Sequence, residues 1–191
     1  MPHTKEAFKF LEGTIEEIRD VCAPRSLLYI GWRSDANPWW YDKFCKDLNI
    51  ERVSVLEIFR PNFLELERRV SSGRYQVRPI LGNVLDISKY AIPKEYDIIF
   101  WDHGPEHVIY NDLVKITPTL SHLANKLLLY CCPWGEWNQD AEGGNDWEQH
   151  RTHMTKDHLR NLGMTVNTFN GIDQRNGGEI VAVKLSNSEV I

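Results

Sequence analysis

Residues 164–185, MTVNTFNGIDQRNGGEIVAVKL, contain two short apolar segments that are separated by a polar connection. Residues 164–169 and 179–185 are the apolar segments, and their composition favours β-strands. The connection, residues 170–178, is rich in glycine and asparagine and is too short to hold a crossover helix. The sequence therefore predicts two terminal strands that pair antiparallel.

Upstream of this hairpin, strand and helix segments alternate along the chain. Short apolar runs predict five strands, at residues 26–31, 52–58, 77–81, 96–101 and 126–132. Helical spacing and capping residues predict helices at residues 5–21, 37–48, 61–70, 106–122 and 155–162, the fourth of them broken at Thr117-Pro118. This alternation predicts an α/β fold with a doubly wound, mostly parallel sheet, with right-handed crossovers and helices on both faces.

Length and composition indicate a single domain over residues 1–191, with an N-terminal helix in residues 1–22 and a core in residues 26–185. The net charge of −5 and the lack of a basic stripe argue against a nucleic-acid partner. No apolar run is long enough to predict a membrane span. The four cysteines form neither a CxxC pair nor a zinc-binding spacing. Cys131 and Cys132 are adjacent on a predicted buried strand, where a framework disulfide is implausible, so we expect a reducing, cytoplasmic environment.

Five parallel strands, one more helix and a terminal hairpin together resemble the class I S-adenosylmethionine-dependent methyltransferase superfamily. The resemblance implies a Rossmann-like seven-stranded sheet of order 3-2-1-4-5-7-6, with the seventh strand antiparallel beside the fifth. It covers residues 26–185. Three local segments are similar to the family too: residues 102–108 (DHGPEHV), 133–137 (PWGEW) and 144–152 (GNDWEQHRT).

The resemblance implies that S-adenosylmethionine is the cofactor. Glu57 ends the second strand, where the family places an acid on the ribose hydroxyls, which are donors and need an acceptor. Residues 82–84 (GNV) stand where the family often has Gly-Asp-Ala at the adenine. The cofactor-binding residues implied in this way are Ile30, Gly31, Trp32, Arg33, Glu57, Ile58, Asn83, Val84 and Asp102.

The first loop departs from the family pattern, which reads acid-x-Gly-x-Gly-x-Gly. Here the aligned stretch is YIGWRSD, in which Tyr29 replaces the acid and only Gly31 is retained among the glycines. Arg33 and Asp35 replace the other two glycines, which in the family let backbone amides approach the methionine part of the cofactor. Two alternatives follow. Either Trp32 and Arg33 crowd the cofactor, or Arg33 pairs with its carboxylate and Asp35 with its ammonium.

Candidate catalytic residues follow the fourth and fifth strands. His103 and Glu106 lie beside the switch point at which ligands of open α/β sheets bind, and His150 lies in the third similar segment. Each is a candidate general base or acceptor contact; the alternative is that Asp102 or Glu106 caps the next helix. His103 and His107 are four residues apart, but HExxH is missing and a Gly-Pro pair interrupts a helix between them. We therefore expect no metal site.

Two aromatic clusters allow alternative interpretations. Trp134, Trp137 and Trp147 flank a polar loop, residues 136–146, which is either a lid over a small acceptor or an ordered loop on packed aromatics. Residues 39–41 (WWY) are expected to pack in the core. The exposed part of that cluster, or the N-terminal helix, is a candidate homodimer contact.

Together these features predict a methyltransferase that acts on a small-molecule acceptor, whose identity the sequence leaves open. A methyl group on sulfonium is already activated, so alignment alone can supply about 7–11 kcal/mol and a base is optional. The alternative is a catalytically inactive domain that serves as a binding or assembly module, which the altered first loop suggests. A dehydrogenase or a hydrolase is less favoured, because the chain has neither a GxGxxG nor a GxSxG motif.

Overall fold

The computed structural model describes residues 5–33, 41, 48–169 and 178–186. Within these ranges seven strands form one sheet: β1 (Ser26–Ile30), β2 (Arg52–Glu57), β3 (Arg78–Leu81), β4 (Tyr96–Asp102), β5 (Ala124–Pro133), β6 (Thr165–Phe169) and β7 (Glu179–Leu185). The described α-helices are α1 (Lys5–Cys22), α2 (Arg60–Ser71), α3 (Tyr110–Leu123) and α4 (Lys156–Asn161). Three short 3₁₀ helices span Val84–Lys89, Pro105–His107 and Asp146–Glu148.

The strand order is β3-β2-β1-β4-β5-β7-β6, which confirms the predicted topology. β1 pairs parallel with β2 and β4, and β4 pairs parallel with β5. β7 pairs antiparallel with both β5 and β6, as the short connection between β6 and β7 predicted. Most of that connection, residues 170–177, and most of the helix predicted at residues 37–48 lie outside the described residues.

Two hydrophobic layers cover the sheet, because successive side chains of a strand point to opposite faces. In β1, Leu27 and Tyr29 pack with apolar residues of α1 and α2. Leu28 and Ile30 pack on the other face, with residues of α3, α4 and the 3₁₀ helix Val84–Lys89. Both faces of the central strands are therefore buried. Their polar side chains become accessible only at the ends of the strands.

The helix after β4 differs from its prediction. It begins at Tyr110, after the separate 3₁₀ turn Pro105–His107, and it continues through Pro118 to Leu123 without the predicted break. Proline removes one helical hydrogen bond. The hydroxyl of Thr117, beside the proline, donates a 2.8 Å hydrogen bond to the carbonyl of Leu113. Burial of one face of α3 against the sheet stabilises the remaining turns.

No helix among the described residues is both long and apolar enough to cross a membrane.

Gly31, directly after β1, generates a prediction about stability. Its φ is +84°, and a Cβ there would lie 3.3 Å from the carbonyl oxygen of Asp102. We expect Gly31→Ala to lower the free energy of unfolding by about 1–2 kcal/mol, because side chains disfavour this backbone conformation. At Gly13, inside α1, a Cβ would have no atom within 4 Å, so Gly13→Ala should raise the stability by about 0.5–1 kcal/mol. Urea denaturation of both variants measures the difference, and equal effects would contradict the assigned conformation of Gly31.

Candidate cofactor and acceptor site

The candidate site lies at the carboxyl edge of the parallel strands. β1 and β4 are neighbours there. In the strand order β2 lies on one side of this pair and β5 on the other, which makes the ends of β1 and β4 the switch point of the fold. Glu57 ends β2, and it is in register with Leu81 at the end of β3. Asp102 ends β4. The topology therefore brings together the predicted cofactor residues of four different segments.

The carboxylate of Glu57 joins two turns of the backbone. Its Oε2 accepts a 2.7 Å hydrogen bond from the amide of Trp32, and its Oε1 accepts a 2.7 Å hydrogen bond from the amide of Phe59. Glu57 is only 4% exposed. Burial raises the pKa of Glu57 to about 7, although the two amides favour the charged form. Each oxygen retains a further lone pair, so the carboxylate can still accept hydrogen bonds from a ligand.

The first loop places its two large side chains away from each other. Trp32 is 3% exposed and packs in the layer below α2, where the guanidinium of Arg69 lies 5.1 Å from the centroid of its ring. Arg33 extends toward the loop that follows β5. Its Nη1 lies 3.3 Å from Glu142 Oε2 and 3.4 Å from Glu148 Oε2. The indole therefore belongs to the core, and the guanidinium connects two loops.

Tyr29, at the position where the family has an acid, contacts the end of β4. Its hydroxyl donates a 2.7 Å hydrogen bond to Oδ2 of Asp102, and both residues are buried. Burial, followed by the charge of Asp102, raises the pKa of Tyr29, so the phenol keeps its proton. This contact binds the carboxyl ends of β1 and β4 to each other.

The predicted adenine contacts lie after β3. Oδ1 of Asn83 accepts a 2.9 Å hydrogen bond from the amide of Leu85 and so caps the 3₁₀ helix that begins with Val84. A Cβ at Gly82 would lie 2.6 Å from the ring of Tyr90, so a larger residue here would require the tyrosine ring to move. Asn83 is half-buried and Val84 is buried. The remaining predicted cofactor residues, Ile30 and Ile58, are buried and half-buried at the ends of β1 and β2.

The three predicted catalytic residues meet around the carboxylate of Glu106. Nδ1 of His103 lies 3.8 Å from Glu106 Oε1, and Nε2 of His107 lies 3.7 Å from the same oxygen. The ring of His150 lies 5.0 Å from that of His107, centroid to centroid. Glu106 does not cap α3, whose N-cap residue is Ile109 with no side-chain cap, so that alternative is wrong. Asp102 does not cap it either.

Charge and burial set the protonation of this group. Burial opposes ionisation of Glu106, but the imidazoles of His107 and His103 outweigh it and lower the pKa of the carboxyl. Burial lowers the pKa of His150, so this imidazole is neutral at neutral pH. An ionised carboxylate therefore lies beside a neutral imidazole that can accept a proton.

Sequence reasoning did not single out two further polar residues next to His103. Sγ of Cys131 lies 2.9 Å from Oε1 of Glu179, which is also 3.9 Å from Nε2 of His103. Burial, followed by the charge of Glu179, raises the pKa of Cys131, so the thiol stays protonated. The only available signal in the sequence was the position of both residues at the ends of predicted strands, which many structural residues share.

The loop after β5 is ordered by its own hydrogen bonds. The amide of His150 donates to the carbonyl of Gln139, and the side-chain amide of Gln139 donates to the carbonyl of Glu148. An open groove of about 540 Å³ lies between Arg33 and residues 137–142. Trp147 is 44% exposed, whereas Trp134 and Trp137 are half-buried. The loop thus combines internal order with an open polar surface beside the first loop.

Comparison with known proteins identifies the fold. The sequence matches no family model and no curated protein. It is similar in structure to an O-methyltransferase family protein from Burkholderia thailandensis, with a TM-score of 0.60 and 10% identity over 93% of this chain. SAM-dependent methyltransferases from Archaeoglobus fulgidus and Mesorhizobium loti match 91% of the chain, with TM-scores of 0.57 and 0.58 and identities of 13% and 12%.

The lengths of these proteins differ. The chain spans 56% of the Burkholderia protein, but 93% and 96% of the Archaeoglobus and Mesorhizobium proteins. At these identities the comparisons concern the fold, and they agree with the strand order and the antiparallel β7. The chain therefore has the Rossmann-like fold of the class I S-adenosylmethionine-dependent methyltransferases.

Proposed function

We propose that the protein is an S-adenosylmethionine-dependent methyltransferase with a small-molecule acceptor. The observation that carries the proposal is the buried carboxylate of Glu57, which lies at the end of β2 beside the switch point of the sheet. A buried acid is costly unless it has partners. Two backbone amides meet part of that need, and the hydroxyls of a ribose are suitable donors for the rest.

The residues around Glu57 fit the other parts of such a cofactor. Gly31 has a positive φ and no side chain, so the amino-acid end of the ligand could approach the backbone of the first loop closely. Asn83 offers a polar contact to the adenine ring of the cofactor, and Val84 and Ile58 offer apolar contacts to it. Trp32 would contribute through its backbone, because its indole is buried in the core. Ile30 and Asp102 would line the base of the crevice at the ends of β1 and β4.

The proposed mechanism requires little from the protein beyond alignment. When bound, S-adenosylmethionine supplies a methyl group that its sulfonium has already activated. The chain's own residues then hold the acceptor in line and exclude water. His150, which burial keeps neutral, can accept a proton from the acceptor, and the carboxylate of Glu106 stabilises the resulting positive charge. His103 contacts the same carboxylate from the other side.

An open groove beside the first loop has room for a small acceptor, although none of the three candidate catalytic residues lines it. The groove beside Arg33 has a volume of about 540 Å³, which is in the range of small-molecule pockets. Its wall belongs to the ordered loop at residues 137–142. The net charge of −5 adds no attraction for a polyanion.

A catalytically inactive binding module is the second candidate, and the orientation of Arg33 favours it. This side chain replaces a glycine of the family pattern and pairs with two glutamates of the loop after β5. These ion pairs hold the first loop against the loop after β5, and in this position the two loops can close the crevice to a ligand. The two candidates differ in one property, because only the methyltransferase must bind S-adenosylmethionine and its demethylated product.

The first test measures the contribution of Glu57 to cofactor affinity. We expect wild-type protein to bind S-adenosylhomocysteine in titration calorimetry, and Glu57→Ala to raise the Kd by about 10- to 100-fold. The reason is the loss of charge-assisted hydrogen bonds worth about 1.5–3 kcal/mol. Glu51→Ala is the matched control, because Glu51 is exposed at the opposite end of β2 and should leave the Kd unchanged.

The possible outcomes separate the two candidates. Wild-type protein that binds neither S-adenosylmethionine nor S-adenosylhomocysteine at millimolar concentration would exclude the methyltransferase and leave the binding module. Binding that Glu57→Ala does not weaken would exclude Glu57 from the cofactor site. Thermal unfolding of each variant shows whether the fold is retained.

The raised pKa of Glu57 predicts that cofactor binding depends on pH. Since the pKa of the free protein's carboxyl is about 7, Glu57 is mostly ionised at pH 8 and mostly protonated at pH 6. Protonation converts one acceptor oxygen into a donor. We therefore expect the affinity for S-adenosylhomocysteine to fall by up to about tenfold as the pH decreases from 8 to 6. Glu57→Gln does not titrate, so its Kd should be nearly constant over this pH range. If this variant showed the same pH dependence as wild type, the assignment would be refuted.

A further inference from the structure

Three side chains near the ends of β4 and β5 form a cluster that methyl transfer by alignment does not require. Glu106, His107 and His150 each offer a ligand atom, and these atoms all lie within 4.8 Å of one another. Glu106 and His107 belong to the 3₁₀ turn after β4, whereas His150 ends the ordered loop after β5. The cluster therefore forms only when the two loops pack together.

The carboxylate of Glu106 is incompletely satisfied. Glu106 is 1% exposed, and its Oε2 is fully buried without a hydrogen-bond partner among the described residues. A buried carboxylate oxygen that lacks a partner is costly. Its other oxygen, Oε1, is 3.7 Å from Nε2 of His107, which is too long for a hydrogen bond. A ligand bound between the carboxylate of Glu106 and the imidazole of His107 would supply the missing partner and remove the cost of burying the carboxylate.

The two imidazoles are oriented by carbonyl oxygens behind them. Nδ1 of His107 lies 3.2 Å from the carbonyl of Gln149, and Nδ1 of His150 lies 2.8 Å from the carbonyl of Trp137. A carbonyl only accepts, so both rings carry their hydrogen on Nδ1. In the neutral form of each ring Nε2 then holds the lone pair that a metal ion requires. This arrangement, with a carbonyl behind each ring, is typical of histidines that bind metals.

We propose that Glu106, His107 and His150 bind a divalent transition-metal ion, such as Zn²⁺. Two imidazoles and one carboxylate are the ligand set of many catalytic zinc sites and of non-haem iron sites. Zinc–ligand distances of about 2.0–2.2 Å require the ligand atoms to lie closer together than they do here, so metal binding would include a small movement of these side chains. Both histidines are half-buried, so the fourth position is open to water or to an oxygen of a ligand.

This site goes beyond the proposed methyl transfer and does not depend on it. If both hold, Nε2 of His150 would bind the metal and could not act as the base, and the metal would instead polarise the acceptor by binding one of its oxygens. Spacing along the chain did not favour a metal, because His150 belongs to a distant segment. The alternative for this cluster is a group of imidazoles around a carboxylate without a metal, in which His103 also contacts Glu106.

The test is titration of chelator-treated protein with Zn²⁺ alone, followed by calorimetry. We expect one equivalent to bind, and His150→Ala and His107→Ala each to weaken the affinity at least about tenfold, a loss seen even when only an outer partner of a metal ligand is removed. His153→Ala is the matched control. His153 lies on the same segment, but its Nε2 contacts Asn138 and it is outside the cluster, so the affinity of this variant should equal that of wild type.

Substitution with Co²⁺ provides a second measurement that does not depend on the variants. The visible spectrum should show nitrogen and oxygen ligands and no thiolate band, since the described cysteines are not part of the cluster. Absence of binding, a thiolate band, or equal affinity in wild type and both histidine variants would each overturn the proposal. Binding of S-adenosylhomocysteine by the metal-free protein is measured separately, so failure of the metal site and failure of the proposed function are distinguishable.

Discussion

The carboxylate of Glu57 accepts one amide from the turn after β1 and one from the turn after β2, and the candidate crevice depends on this double contact. Both amides belong to turns beyond the strand ends, where the sheet supplies no acceptor, and the buried acid satisfies both of them. The acid is stabilised in return, although burial still raises its pKa to about 7. The group that organises the backbone is thus also the acceptor that we propose for the ribose of the cofactor.

A second set of contacts relates the first loop to the loop after β5. Arg33 pairs with Glu142 and Glu148, and these lie in the segment whose end carries His150. The ion pairs are partly exposed, so their contribution to stability is small, but they define where the loop lies. Arg33 therefore connects the first loop, on the cofactor side of the proposed site, to the loop after β5, on its acceptor side. In the family pattern a glycine at that position would make no such contact.

The carboxylate of Glu106 is buried and is stabilised by the histidines around it. The pKa of this carboxyl group is lowered in spite of burial, since two imidazoles lie close to it. A carboxylate among imidazoles is suited to proton transfer, ligand contact or metal binding. The backbone also uses the residue, because the carbonyl of Glu106 accepts the amides of Arg151 and Thr152. These bonds hold His150 near the turn that carries His107.

The sequence by itself determined the number and direction of the strands, because buried parallel strands need continuous apolar runs and a short connection between β6 and β7 permits only antiparallel pairing. The strand order followed from the resemblance to the methyltransferase family, and the structure has that order. The sequence also located Glu57 at the end of β2. Local patterns were less informative where packing overrides them, as in α3, which continues through Pro118. Only the tertiary structure decided that Trp32 enters the core, that Arg33 crosses to another loop and that His150 meets Glu106. Periodicity describes which face of an element is buried, but the direction of a loop side chain depends on segments that meet only in the folded molecule.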